Sequence, residues 1–78
     1  MRGIHDEELV WRKKFGNKLK RLIHKKDMTQ GEFAEELGVI DTTISKYITG
    51  ERMPSPYRIQ QIVNVLDCNI NDLFDVDN

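Results

Sequence analysis

The 78-residue chain has one cysteine, two prolines and six aromatic residues. It also has no apolar run of the roughly 18–20 residues a membrane helix needs. A lone Cys68 excludes an internal disulfide and a disulfide-stapled scaffold. With only His5 and His24 beside it, a zinc site would have to recruit carboxylates, so no metal or cofactor is expected. No secretory leader is legible, which makes a cytoplasmic location and no membrane partner the expectation. Phosphate-binding glycine loops, paired-carboxylate motifs and metal-ligand spacings are missing too. Cys68 has no basic neighbour to lower its pKa, and an enzyme is not expected.

A net positive charge is also absent. The net charge is −1, which does not advertise a nucleic-acid binder. Its distribution says more: residues 1–26 hold nine Lys/Arg against three Asp/Glu, and residues 27–78 hold three against ten. The halves carry +6 and −7, an asymmetry that marks either a binding face or two solvated faces of opposite sign. The 38% hydrophobic content suits a single small globular domain and is too high for a disordered chain. No period-2 alternation and no internal repeat occurs, so the fold class is all-α.

What the chain does contain is helical punctuation. Residues 1–6 lack periodicity and read as a flexible N-terminus. Helix 1 is expected from about Glu7 to Lys26, with Trp11, Phe15, Leu19, Leu22 and Ile23 as its apolar stripe. Aromatics at that spacing are core residues far more often than base-stacking platforms. Gly16 interrupts the helix and fits close packing by a neighbour. Thr29 and Glu32 have capping-box spacing for a helix over about 30–37, leaving the Gln30 side chain free at its N-terminus, where phosphate can be met. Gly31 is a poor helix former that the pattern does not explain.

A third helix is expected over about 41–49, ended by Gly50. Asp41 can cap it by accepting from first-turn amides. Ser55 and Pro56 start a fourth, with Ile59, Ile62, Val63 and Leu66 as its stripe. Asn69 or Asn71 caps a short fifth helix holding Leu73 and Phe74, and an acidic tail over 75–78 follows.

Within this frame, Gln30 to Gly50 splits into two short helices around a corner at Gly38. Ala34 is small where the helices cross, and Phe33, Leu37, Val39, Ile44 and Tyr47 face inward. That arrangement looks like a helix-turn-helix, whose second helix enters the DNA major groove.

From Phe15 to Phe74 the chain resembles the Cro/lambda-repressor-like (Xre-type) helix-turn-helix family. The match is carried by Phe15-Gly16, Leu19, Leu22, Met28–Gln30, Phe33-Ala34, Leu37–Val39, Ile44–Tyr47, Gly50, Arg52, Pro54-Ser55 and the later apolar positions. The resemblance implies a compact five-helix DNA-binding domain over residues 7–74, with helix 3 reading bases through Asp41, Thr42, Ser45 and Lys46. It implies phosphate contacts from Gln30, Thr49, Gly50 and Arg52, Gln30 also orienting the reading residues. The implied partner is double-stranded DNA with a pseudo-palindromic operator, bound by a homodimeric regulator, a repressor.

The chemistry agrees in part. Lys46 lies four residues after Thr42, on the face opposite Ile44 and Ile48. Outside such a motif Lys46 would be a solvated surface lysine; within it, it can donate to guanine.

Three positions depart from the family. Ile40 stands where Ser or Thr commonly caps helix 3, so either Asp41 caps or the cap is lost. Ile23 and Ile48 replace an Arg–Glu pair, which predicts an apolar contact between them. Asp41 and Glu51 offset Lys46 and Arg52, which leaves the reading helix short of charge. The third departure favours a different function, a protein-interaction module of the same fold that binds an acidic partner through helix 1. Dimer contacts are expected from helices 4 and 5 and the tail, with Ile70, Phe74 and Val76 exposed.

Overall fold

A run of helix-compatible residues with no proline before position 54 forms the longest element first. The computed structural model describes the backbone of residues 3–74 and the side chains of residues 7–74. Five helices follow in order: α1 (Gly3–Lys25), α2 (Gln30–Leu37), α3 (Asp41–Thr49), α4 (Pro56–Leu66) and α5 (Ile70–Leu73). No strand occurs among the described residues, and α1 packs chiefly on α3 while α2 bridges α3 and α4. Met1, Arg2 and the expected acidic tail over 75–78, with Val76, lie outside the described residues.

α1 starts at Gly3, four residues before the expected Glu7. Adding residues to an existing helix gains one hydrogen bond each without a new nucleus, and nothing in Gly3–Asp6 forbids it. Its end comes at Lys25 because Asp27 takes a positive φ of 59°. The Met28 amide then turns back to the Ile23 carbonyl at 3.2 Å.

The other boundaries follow local chemistry. The Glu32 amide donates to Thr29 Oγ1 at 3.0 Å, and the Thr29 amide donates to Glu32 Oε1 at 2.8 Å, closing the capping box of α2. Gly38 and Gly50 end α2 and α3 at φ 76° and 85°, a left-handed conformation in which a Cβ would be strained. Ser55 Oγ accepts from the Arg58 amide at 3.2 Å, with Pro56 as the first residue of α4. Asn69 is the N-cap residue of α5, its backbone amide donating to Asp72 Oδ2 at 2.9 Å.

Phe15, Leu19 and Ile23 meet Phe33, Ala34, Leu37, Ile44, Tyr47, Ile62, Leu66 and Leu73 in one core, and no polar side chain is buried among the described residues. Each of the larger side chains contributes about 1.5–3 kcal/mol. Gly16 lies against the Ile48 backbone, so it lets α1 approach the end of α3 closely. Ile23 is buried and Ile48 is half-buried against the same core.

Trp11 is the exception in the predicted stripe. It is 44% exposed, with the Phe74 ring stacked against it. Trp11 and Phe15 both stack on Phe74, at centroid distances of 5.4 and 5.1 Å, which ties the end of α5 to α1.

Candidate nucleic-acid interface

The corner at Gly38 sets α2 and α3 so that the first residue of one lies beside the first turn of the other. Gln30, half-buried, opens α2; Asp41 and Ser45, both exposed, lie one turn apart on α3. The Gln30 amide nitrogen donates to Asp41 Oδ1 at 2.8 Å and to Ser45 Oγ at 2.6 Å, with a longer contact of 3.4 Å to the Asp41 carbonyl. Gln30 is therefore not free, as its place at a helix start suggested; its two amide hydrogens span the helices.

The same contacts settle the start of α3. The N-cap is Ile40, in extended conformation and with no side-chain cap bond, and Asp41 is already inside the helix. Of the two alternatives the sequence left open, Asp41 capping α3 or the cap being lost, the second holds: the Asp41 carboxylate accepts from Gln30 instead. No side chain caps α3, whose first turns are tied to α2 through Gln30 instead.

Thr42 is exposed and Lys46, one turn on, is half-buried. Together Asp41, Thr42, Ser45 and Lys46 make a polar strip on the outer face of α3, while Ile44 and Tyr47 are buried behind it. Each presents different chemistry. Ser45 Oγ accepts from Gln30 and still has its own hydrogen to donate; Asp41 keeps one carboxylate oxygen as an acceptor. Thr42 offers a hydroxyl and a methyl, and Lys46 offers an ammonium.

Beyond α3 the chain folds back on itself. Thr49 Oγ1 donates to the Lys46 carbonyl at 3.2 Å, the Arg52 amide donates to the same carbonyl at 3.2 Å, and the Gly50 amide donates to the Tyr47 carbonyl at 3.3 Å. Gly50 is buried against α1: a Cβ there would lie 3.2 Å from Arg12 Cβ and 3.3 Å from the Lys13 backbone nitrogen.

Two arginines went unread in the sequence. Arg58 donates to the Leu37 carbonyl at 3.2 Å and to Gln61 Oε1 at 2.7 Å, satisfying an orphan carbonyl at the end of α2. Arg12 sits beside Gly50, a proximity that no local sequence pattern signals.

Elsewhere the chemistry is sparse. No group of three His, Cys, Asp or Glu able to hold a metal occurs among the described residues. Burial, then the Asp72 and Asp67 carboxylates, push the Cys68 thiol up and disfavour its thiolate. No described helix is long and apolar enough to cross a membrane.

A family model described as helix-turn-helix matches residues 18–73. Among solved structures the chain is similar to the restriction-modification controller protein C.AhdI from Aeromonas hydrophila, at 28% identity and a TM-score of 0.73. That likeness covers 78% of this chain and 92% of the other. Comparison with curated proteins gives no match.

Proposed function

Since the chain belongs to the Xre-type, Cro/lambda-repressor-like helix-turn-helix family of DNA-binding transcription regulators, we propose that it is a sequence-specific repressor that reads the major groove with α3 as a homodimer. The observation that carries this reading is the Gln30–Asp41–Ser45 network, which holds the first two turns of α3 in one presentation before any DNA arrives. A fixed pattern of donors and acceptors is what discrimination between base edges needs.

In this reading Lys46 donates to guanine, Asp41 accepts from a base amino group, and Thr42 and Ser45 contribute hydroxyl or methyl contacts. Gln30 is the positioning residue behind them. Similarity to a controller protein supports the regulatory part of the proposal. Two copies related by a two-fold axis would place their α3 helices about 34 Å apart, one turn of DNA, on a pseudo-palindrome. The dimer face proposed is that of α4 and α5, where Pro56, Ile59, Gln60, Val63 and Ile70 line an apolar groove and Ile70 is 52% exposed.

Selection of bound sequences from a random duplex pool at near-physiological salt tests the proposal. A two-fold symmetric motif is the expected result, and Lys46→Ala should relax preference at one position in each half-site. A folded protein that enriches nothing overturns it. The low basicity of α3 would then favour the interaction-module reading, with an acidic protein partner bound through α1.

A further inference from the structure

We propose that Lys13, seconded by Arg12, binds the phosphodiester backbone of DNA beside the loop that follows α3. The inference rests on the DNA-binding reading above and concerns a part of α1 that lies before the matched family segment of residues 18–73.

It starts from hydrogen-bond donors. Four positions were expected to hold phosphate: Gln30, Thr49, Gly50 and Arg52. Phosphate oxygens only accept, so each must supply an N–H or O–H. The Gln30 amide hydrogens are engaged by Asp41 and Ser45. The Thr49 hydroxyl is engaged by the Lys46 carbonyl, and the Gly50 amide by the Tyr47 carbonyl. Of the four, the Arg52 guanidinium alone makes no hydrogen bond or ion pair among the described residues.

Charge is equally thin, since Asp41 and Glu51 offset Lys46 and Arg52. Neutralising phosphates supplies most of the non-specific affinity for DNA. The missing cations must come from another element.

The fold puts two there. Gly50 is buried where α1 crosses the loop, against the Arg12 Cβ and the peptide that joins Arg12 to Lys13. Gly16, three residues after Lys13, packs on Ile48, so this face of α1 follows the end of α3. Lys13 is exposed and has no carboxylate partner among the described residues. Arg12 is half-buried, with its guanidinium 3.0 Å from Glu8, which offsets part of its charge. Lys13 thus carries the larger share. Lys14, the next residue, lies instead with Val10 and Trp11, on the side that Phe74 covers.

The test measures affinity by fluorescence anisotropy for the selected duplex and a scrambled one across a salt series, comparing wild type, Lys13→Gln, Lys13→Arg and Lys14→Gln. Lys13→Gln is expected to weaken both duplexes by a similar several-fold factor. It should also make the slope of log K against log salt shallower by about 1 per bound subunit, with sequence preference unchanged. Lys13→Arg should retain the slope, and Lys14→Gln should leave it near wild type. Equal slope changes in Lys13→Gln and Lys14→Gln would reduce the effect to net charge and overturn the site. So would an unchanged slope in Lys13→Gln while wild type binds. Wild type that binds no duplex overturns the DNA reading itself, and this inference with it.

Discussion

At Gly16 an added methyl group would overlap the Ile48 carbonyl oxygen and lie 2.6 Å from its carbon, both backbone atoms that cannot swing aside. At Gly31 the same group would find only Thr29 Oγ1, 4.0 Å away. The two substitutions to alanine should therefore have opposite signs. Gly16→Ala must separate α1 from α3 and should cost about 1–3 kcal/mol or more, as overpacking of a tight contact does. Gly31→Ala should stabilise by up to roughly 1 kcal/mol through helix propensity alone. Thermal melts check both, and a Gly16→Ala midpoint at or above wild type would refute the packing argument. The sequence signalled the first case, since a glycine inside an apolar stripe has to be explained by a neighbour. The second has no structural account in the packing around it. Arg12 was illegible for another reason: its position is defined by Gly50, thirty-eight residues later, and no local pattern encodes that proximity.

Helix ends show where local reading works and where it stops. The caps at Thr29, Gly38, Gly50 and Ser55 were readable because each is satisfied within a few residues of chain. The start of α3 was left open between Ile40 and Asp41, and a contact across two helices decided it: Gln30, eleven residues back, takes the Asp41 carboxylate. The result is a helix with an extended N-cap residue of φ −85° and ψ 156°, good geometry for capping but no side-chain oxygen to do it. Ile40→Ser should supply that oxygen. The isoleucine is 69% exposed, so little burial is lost, and the gain expected is about 0.5–2 kcal/mol. For a chain of this size the melting midpoint would rise by roughly 4–8 °C per kcal/mol. A midpoint unchanged or lowered would show that the Asp41–Gln30 contact already fixes the first turn, and that the missing cap costs nothing.

On the scale of the whole molecule, the apolar surface is distributed differently from what the sequence suggested. Phe74 is half-buried, occupied by Trp11 and Phe15, and so holds α5 onto α1 instead of standing free for a partner. The stripe of α4 likewise divides: Ile62 and Leu66 go to the core, while Ile59 and Val63 stay half-exposed beside Ile70. Periodicity could not separate those two sets, since a helix facing one core and a helix facing a core plus a second copy show the same spacing. The division makes the dimer proposal specific. Ile70 is 52% exposed, so Ile70→Lys should leave the monomer folded with a near wild-type melting profile at low concentration. In a dimer it would place a charge in the middle of the apolar face and should raise the dissociation constant at least tenfold, about 1.4 kcal/mol. Sedimentation velocity over a concentration series reads this directly, and a wild-type dimer unaffected by Ile70→Lys would move the interface off α4 and α5. If the face is right, the same variant should bind a single half-site duplex as wild type does and lose the tighter binding to the full pseudo-palindrome. That loss follows because linking two half-site contacts through one dimer is what raises the affinity above that of each alone.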